Sequence, residues 1–381
     1  MPHIEKLDNG KYKAIVEVGA GERRKRRTKT FERKKDAKSW QANMLVDQEK
    51  GRYVSSASLT VADHMLDWLD NEKKPHIATT TYDNYKNRIK TYIIPEIGYI
   101  PLQELEPFHI SRFMGYLRKN GSVRNDGGLS ENTLKKIYVV LNSAMEKAVQ
   151  WRLIKYNPVQ AIESPQPKKK EAKSMSFEEV QKLLDSVNDK FMHTFLSFAV
   201  LTGMRKSEML GLEWSEVDLE NETVEVKKRL VVNQNSDQGI EHEEATKREA
   251  SRRIIAISSK LAKLLKSYKA YQAELRLQLA EEYNEQKEFV FCKPDGNHYY
   301  PPTITRKAKK AILIAGLSSE YSLHTLRHTF ATLQLKNGTD AKVIQEMLGH
   351  GNISTTMDIY SHVDIDMQKE AAKKLENEIV I

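Results

Sequence analysis

The sequence has one cysteine, Cys292, in 381 residues. A single thiol excludes an intramolecular disulfide and any metal cluster built from several thiolates. No apolar run approaches the ~18 residues that a membrane-spanning helix needs, and the N-terminus lacks the apolar core of a signal peptide. These absences predict a cytoplasmic protein without membrane contact.

Positive charge is abundant but unevenly distributed. The chain has 61 Lys and Arg against 52 Asp and Glu, a net charge of +9, and residues 1–50 hold 14 basic and 8 acidic side chains. One-eighth of the chain therefore carries two-thirds of the excess. Such asymmetry favours a polyanionic partner, although a solvated basic tail would have the same composition.

The N-terminal segment predicts a small domain at 1–55, either a three-stranded sheet or a β-hairpin plus a helix. Residues 12–18 alternate as a strand does, "GAGE" indicates a turn, "RRTKTF" can return as a second strand, and residues 34–45 have helical spacing. We expect this ribbon to be basic along one side and to bind DNA, since a two-stranded ribbon fits the major groove. The candidate DNA-binding residues are Arg23, Arg24, Lys25, Arg26, Arg27 and Lys29.

Residues 57–165 predict an all-helical domain. Thr60 followed by Asp63 forms a loose capping box, and Ser130 is a plausible N-cap for a long amphipathic helix. Tyr82, Tyr85 and Tyr92 recur at helical spacing. This aromatic stripe is more typical of a core than of a base-stacking platform.

The stretch "ESPQPKKKEAK", residues 163–173, is the clearest linker, because it combines two prolines with a run of lysines and has almost no apolar residue. A third domain is predicted at 174–381. It opens with a capped helix, Ser176 followed by Glu179, and mixes helices with the strand-like stretches "VEVKKRLVV" and "SRRIIAIS". The expected fold class is multidomain and mainly α, with a basic hairpin module, a helical domain and an α+β domain.

The third domain contains five short motifs in a fixed order. They are "RKSE" with Arg205 and Glu208, "TK" with Lys247 before "SRR", "HTLRH" with His324 and Arg327, "LGH" with His350, and "MDIY" with Tyr360. Taken singly, each has an ordinary interpretation. The R-x-x-E pair is usually a surface ion pair, and a lone turn lysine is usually solvated.

Together and in this order, the motifs closely resemble those of the tyrosine recombinases, the integrases of phages and integrative elements. The resemblance covers the whole chain, because the hairpin module is similar to the arm-binding domain of long integrases and the helical domain to their core-binding domain. It implies a DNA recombinase that works without metal or nucleotide cofactor. Its partners would be double-stranded DNA at core and arm sites.

The resemblance also implies a role for each motif residue. Arg205 and Arg327 would hold the two non-bridging oxygens of the scissile phosphate, as a planar, permanently charged guanidinium suits. Lys247 would protonate the departing 5′ oxygen, His324 would take part in acid–base catalysis, and His350 would hydrogen-bond the phosphate.

Two further roles complete the implied site. Tyr360 would form the covalent 3′-phosphotyrosine. Glu208 would orient the arginines without touching the substrate.

Several neighbouring residues are rival candidates. Tyr321 is a possible alternative nucleophile, and Arg248, which stands where the family usually has threonine or serine, competes with Lys247 as the acid. We expect His328 to turn away from the face shared by His324 and Arg327, as a packing or capping residue. Arg252 and Arg253 are expected to contact the DNA backbone or solvent.

The remaining expectations concern assembly and alternative functions. The C-terminal tail, ending in "IVI", resembles family tails that dock onto a neighbouring protomer, which implies a homotetramer on DNA. Excisionase and DNA-bending proteins are possible accessory partners. The alternatives are a non-enzymatic DNA-binding regulator and a relaxing topoisomerase of the same chemical type. No carboxylate cluster suggests a metal nuclease.

Overall fold

The computed structural model describes residues 2–18, 25–49, 59–123, 127–168, 173–231, 241–244, 252–284 and 288–349. The chain divides into two compact units, Met1–Lys169 and Lys170–Ile381. The boundary lies within the predicted linker. No helix in the described ranges is long and apolar enough to cross a membrane.

The N-terminal module is a three-stranded antiparallel sheet followed by one helix. Its elements are β1 (His3–Lys6), β2 (Tyr12–Val18), β3 (Lys25–Phe31) and α1 (Lys34–Glu49). Ala14 and Val16 are fully buried, as the alternation predicts, but Ile15, expected on the polar face, is also buried. The contact between the rings of Phe31 and Trp40 joins the sheet to the helix.

The basic side chains described on β3 do not lie along one side, contrary to the expectation from the sequence. Arg26 pairs across the ribbon with Glu17, whereas Arg27 pairs with Val16 and Lys29 with Ala14. Since successive side chains of a strand point to opposite faces, Arg26 lies on one face and Arg27 and Lys29 on the other. Arg23 and Arg24 and the side chain of Lys25 are outside the described residues.

The helical domain confirms the predicted all-α organisation between residues 59 and 168. Its helices are α2 (Val61–Asp67), α3 (Thr79–Arg88), α4 (Ile94–Ile97), α5 (Pro107–Asn120) and α6 (Glu131–Gln150), with π-helical turns at Trp68–Lys73 and Ile89–Ile93. Thr60 and Asp63 form the capping box, and Ser130 caps α6. Tyr82 is buried and Tyr85 stacks on Trp68, so the aromatic stripe packs in the core.

The second unit is α+β and is built around a buried helix. Its elements are α7 (Phe177–Asp185), α8 (Lys190–Thr202), α9 (Lys206–Leu210), β4 (Val217–Asp218), β5 (Thr223–Val226), β6 (Lys228–Val231), β7 (Glu241–Glu244), β8 (Arg253–Ala256), α10 (Ser259–Leu279), α11 (Pro301–Ile314), α12 (Leu323–Lys336) and α13 (Ala341–Leu348). The strands form a sheet in the order β4-β5-β8 and a separate β6-β7 pair, both antiparallel. Phe195 and Phe198 of α8 pack edge-on against Phe291 in the main core.

Helix α8 ends at Gly203, where the chain must turn sharply before α9. Gly203 has φ +62°, and a Cβ built there would lie 2.5 Å from Phe330 and 2.7 Å from Leu348. Glycine is therefore required both by the left-handed backbone and by the close approach of α12 and α13. This turn brings the start of α9 next to those two helices.

We expect Gly203→Ala to lower the free energy of unfolding of the second unit by about 2 kcal/mol or more, because the new methyl group meets both a backbone and a packing penalty. Gly115→Ala is the control, since Gly115 lies within α5 and nothing is within 4 Å of its built Cβ. That variant should gain about 0.5–1 kcal/mol. Calorimetric unfolding measures both changes, and a neutral Gly203→Ala would contradict the argument.

Candidate functional site

Helix α12 carries two of the predicted site residues on its first turns. The apolar residues Leu326, Phe330 and Ala331 are buried, which fixes how the helix faces the core. His324 is exposed, whereas Arg327, one turn later, is only 6% exposed. The same helix therefore presents an accessible imidazole beside a nearly buried cation.

Arg327 is held by backbone carbonyls rather than by a carboxylate. Its Nη1 donates to Gly203 O and its Nη2 to Leu348 O, both at 2.7 Å. Burial, and then the nearby charge of Arg205, lower the pKa of Arg327 to about 9, so it is still charged at neutral pH. A guanidinium has five N–H donors, and within the described residues these bonds use two of them.

Arg205 lies at the turn between α8 and α9 and reaches the same carbonyl. Its Nη1 donates to Glu208 Oε1 at 2.8 Å and to Leu348 O at 3.5 Å, and its Nη2 donates to Gly349 O at 3.1 Å. Leu348 O thus accepts hydrogen bonds from both arginines that the sequence motifs single out. The Arg205 side chain is 40% exposed, so it is the more accessible of the two.

Arg253 is a third arginine of the cluster, and the expectation that it contacts DNA or solvent is wrong. Its side chain is only 7% exposed, and its Nη2 forms an ion pair with Glu208 Oε2 at 2.7 Å. Its Nε donates to Met347 O at 2.7 Å. The backbone of β8 points this side chain inward, on the same face as the buried Ile255.

Glu208 is the shared counter-ion of this cluster. It is 5% exposed and pairs with both Arg205 and Arg253, so it is not part of an exposed surface ion pair. Burial opposes its ionisation, but the hydrogen bond and charge of Arg253 and the charge of Arg205 outweigh burial and lower its pKa. Its Oε2 also accepts the backbone N–H of Arg205, which caps α9.

The C-terminal end of α13 completes the arrangement. The carbonyls of Met347, Leu348 and Gly349 accept hydrogen bonds from three different guanidinium groups. The last carbonyls of a helix lack partners within it and carry partial negative charge, so cations there are favoured. One buried carboxylate and one helix end therefore hold three positive charges, which leaves the site cationic and suited to an anion.

His328 does not turn away from His324, contrary to the sequence-based expectation. Their rings meet edge-on, with centroids 4.6 Å apart. The pKa of His324 is lowered by partial burial of its ring and then by the charges of Arg327 and Arg205. That of His328 is lowered by burial, His324 and Arg327. Both imidazoles are therefore biased towards the neutral form, in which one ring nitrogen can accept a proton.

Tyr321, the alternative nucleophile, is a structural residue. Its side chain is buried, and its hydroxyl donates to the Glu179 carboxylate at 3.1 Å. Burial and the Glu179 carboxylate raise its pKa. A phenol held in this way is poorly suited to attack a phosphate.

Of the residues of the third domain discussed from the sequence, Lys247, Arg248, His350 and Tyr360 lie outside the described residues. The structure therefore brings together Arg205, Glu208, His324 and Arg327. Within the described ranges, no group of three or more His, Cys, Asp or Glu side chains is placed to hold a metal ion.

The sequence interpretation missed Arg253 and the carbonyls of α13. Strand alternation places Arg253 on the face of Ile255 rather than on that of Ile254, which is 67% exposed, but the sequence has an isoleucine on each face and only the tertiary structure decides which face is buried. The carbonyls carry no sequence signal, since every residue has one.

Comparisons with known proteins agree with this fold. The model of the phage integrase family matches residues 173–367, just over half of the chain, and that of the phage integrase N-terminal SAM-like domain matches residues 60–118. The multidomain, mainly helical fold is that of the tyrosine recombinase class. The chain belongs to the phage integrase family.

Relatives and solved structures extend the likeness over most of the chain. The chain is 27% identical to a "Tyrosine recombinase XerC-like" protein of Caldanaerobacter subterraneus, over 98% of each chain. It is 28% identical to the ICEBs1 integrase of Bacillus subtilis, over 98% of this chain and 99% of that one.

Two structures of integrases with DNA have a similar fold. The Tn1549 transposon integrase in complex with a circular intermediate DNA has a TM-score of 0.66 and 18% identity, and covers 84% of this chain and 100% of its own. A lambda integrase dimer bound to a core site has a TM-score of 0.58 and 17% identity, over 93% of each chain. At such identities the likeness is evidence of a shared fold alone.

We expect Glu208→Gln to lower the free energy of unfolding by about 3 kcal/mol, because it leaves buried guanidinium groups without their counter-ion. Glu288→Gln is the control, because its ion pair with Arg276 is largely exposed. Its loss should cost less than about 1 kcal/mol. Urea denaturation at neutral pH compares the two, and equal losses would contradict the role assigned to Glu208.

The same variant should change the acid side of the stability profile. The folded pKa of Glu208 lies below its ordinary value of 4.5, so ionised Glu208 stabilises the fold above that pH and the stabilisation is lost as pH falls through the folded pKa. Glu208→Gln should therefore lose stability less steeply below pH 4.5 than the unmodified protein.

Proposed function

We propose that the chain is a site-specific DNA recombinase that cleaves and rejoins DNA strands through a covalent 3′-phosphotyrosine at Tyr360. It would integrate and excise a mobile element and need neither metal nor ATP. The observation that supports this most is that Arg205 and Arg327, far apart in sequence, donate to the same carbonyl of Leu348 in a site with excess positive charge. Two such cations match the two non-bridging oxygens of one phosphodiester.

The arginines supply the electrostatic part of the mechanism. Negative charge builds up on the non-bridging oxygens as the phosphate is attacked, and preorganised donors stabilise it without reorganisation. Arg327 is fixed by two carbonyls and Arg205 by Glu208, so neither has to be ordered at the moment of reaction. Glu208 acts on the arginines and does not contact the DNA.

The proton transfers are assigned to the remaining residues. The bond from the Tyr360 oxygen to phosphorus forms as the bond to the 5′ oxygen breaks. The phenol gives up its proton to a neutral imidazole, for which the lowered pKa of His324 is suitable, and Lys247 protonates the 5′ oxygen. His350 hydrogen-bonds the phosphate. Rejoining is the same path reversed.

The DNA partners are assigned by domain. The domain at 1–55 would bind arm sites through its basic ribbon, on which Arg26 and Lys29 are exposed. The domains at 57–165 and 174–381 would bind the core site. The DNA-bound states of the Tn1549 and lambda integrases support DNA as the partner. The Tn1549 transposon integrase and the integrase of Staphylococcus phage L54a, which is 28% identical over 86% of this chain, support a mobile element.

The proposed assembly is a homotetramer on DNA, formed by exchange of the C-terminal tails, with excisionase and DNA-bending proteins as accessory partners. The tail lies outside the described residues, and the proposal rests on the family resemblance. The protein would act in the bacterial cytoplasm, on the nucleoid.

Tyr360→Phe should abolish strand cleavage, because the phenylalanine ring has no oxygen to form the phosphodiester. DNA binding should stay within about twofold, since the arginine cluster is intact. The assay mixes protein with a nicked duplex spanning the junction between the encoding element and its flanking DNA, and separates covalent adducts on a denaturing gel. Tyr321→Phe is the matched control and should keep the adduct. An adduct with Tyr360→Phe would refute the assignment of Tyr360 as the nucleophile. The absence of an adduct with the unmodified protein would favour a DNA-binding regulator.

Deletion of residues 1–50 should weaken binding to arm-site DNA by at least about tenfold, because it removes the basic ribbon and its phosphate contacts. Cleavage of nicked core duplexes should remain. Electrophoretic mobility shifts on arm duplexes and adduct formation on core duplexes measure the two effects separately. Equal loss of both would contradict the division of labour between the domains.

A further inference from the structure

Arg253 is a buried cation to which the proposed reaction gives no direct role. Only 7% of its side chain is exposed, so the group has almost no surface with which to meet a DNA phosphate. Its bonds instead run to two other parts of the site, Glu208 and the carbonyl of Met347. A buried guanidinium is costly unless its partners compensate it, so both contacts are expected to be well ordered.

The first contact fixes the carboxylate that orients Arg205. Glu208 Oε2 accepts from Arg253 Nη2 at 2.7 Å and from the backbone N–H of Arg205, and Oε1 accepts from both arginine side chains. Arg253 thus donates to both carboxylate oxygens. Without it, the carboxylate would have one cation instead of two, and the direction of the Arg205 fork would be less constrained.

The second contact fixes the helix end that orients Arg327. Arg253 Nε holds Met347 O, and the next carbonyl along the chain, Leu348 O, accepts from Arg327. The chain then passes Gly349 at φ +64°, where a built Cβ would lie 2.9 Å from Arg253 Nη1. Arg253 therefore lies directly against the turn that ends α13.

We propose that Arg253 is a positioning residue that sets the distance and angle between Arg205 and Arg327, so that both meet the oxygens of one phosphate. It acts through Glu208 on the first and through the end of α13 on the second, and it does not contact the DNA. This inference rests on the proposed function. In it, the third arginine positions the other two rather than binding DNA.

The test is Arg253→Lys, which keeps the charge but loses the planar fork, so that one ammonium cannot satisfy both contacts. Arg276→Lys is the matched control, because its exposed ion pair with Glu288 lies outside the site. Glu208→Asp is a second variant, since it keeps the charge but shortens the carboxylate that Arg253 holds. Melting temperatures establish that each variant is folded at the assay temperature.

Each protein is assayed for covalent adduct on nicked junction duplexes with either an ordinary phosphodiester or a neutral methylphosphonate at the cleavage position. We expect Arg253→Lys and Glu208→Asp to cleave the phosphodiester about 10- to 100-fold more slowly, with DNA affinity within about twofold. Against the methylphosphonate, which lacks the charge that the arginine pair meets, the loss should be below about threefold. Arg276→Lys should match the unmodified protein.

Equal losses on both duplexes, or no loss on either, would overturn the inference, because a merely structural defect does not depend on the substrate's charge. If the unmodified protein forms no adduct, the proposed function fails, and a measurement without DNA then decides the role of Arg253. In that experiment the melting temperature is measured as a function of the inorganic phosphate concentration. A phosphate concentration at half-saturation about tenfold higher for Arg253→Lys than for Arg276→Lys would support the inference. Equal concentrations would overturn it.

Discussion

One buried carboxylate and the end of one helix together hold three guanidinium groups, and the rest of the site depends on this arrangement. Glu208 compensates two of the cations, and the last carbonyls of α13 bind all three. Bringing like charges together and burying them is unfavourable, as the lowered pKa of Arg327 reflects. An anion that enters the site relieves this cost, so the same electrostatics that strain the free protein favour a phosphate.

The fold supplies this arrangement by bringing the ends of α8 and α13 and the starts of α9 and β8 to one place. Helix α8 stops at Gly203, whose carbonyl holds Arg327, and the next residues begin α9 with Arg205. Strand β8 adds Arg253 from the edge of the sheet, and α13 ends against all of them. Element ends are where backbone groups lack partners, so they are natural sites for charged side chains. The buried bulk of α8 and α12 keeps those ends in place.

The comparisons show that the fold persists while most of the sequence varies. Integrases that share less than a fifth of their residues with this chain have the same fold over most of its length. Apolar cores tolerate exchange among residues of similar volume, which explains how the framework can persist at such identities. Because fold alone does not specify chemistry, the function proposed here depends on the site residues and on their charge.

The sequence by itself determined what depends on neighbours along the chain. The capping boxes at Thr60 and Ser176, the packing of the tyrosine stripe against the core of the helical domain and the ordered motifs were all predictable, because caps and periodicity are local. The contact between His324 and His328 was also local, since residues four apart in a helix are neighbours, and the expectation that they diverge was an error. Only the tertiary structure decided that Arg253 is buried, that Glu208 serves two arginines and that α13 ends against them. Those contacts join residues up to 144 positions apart, and local patterning carries no information on which distant groups meet.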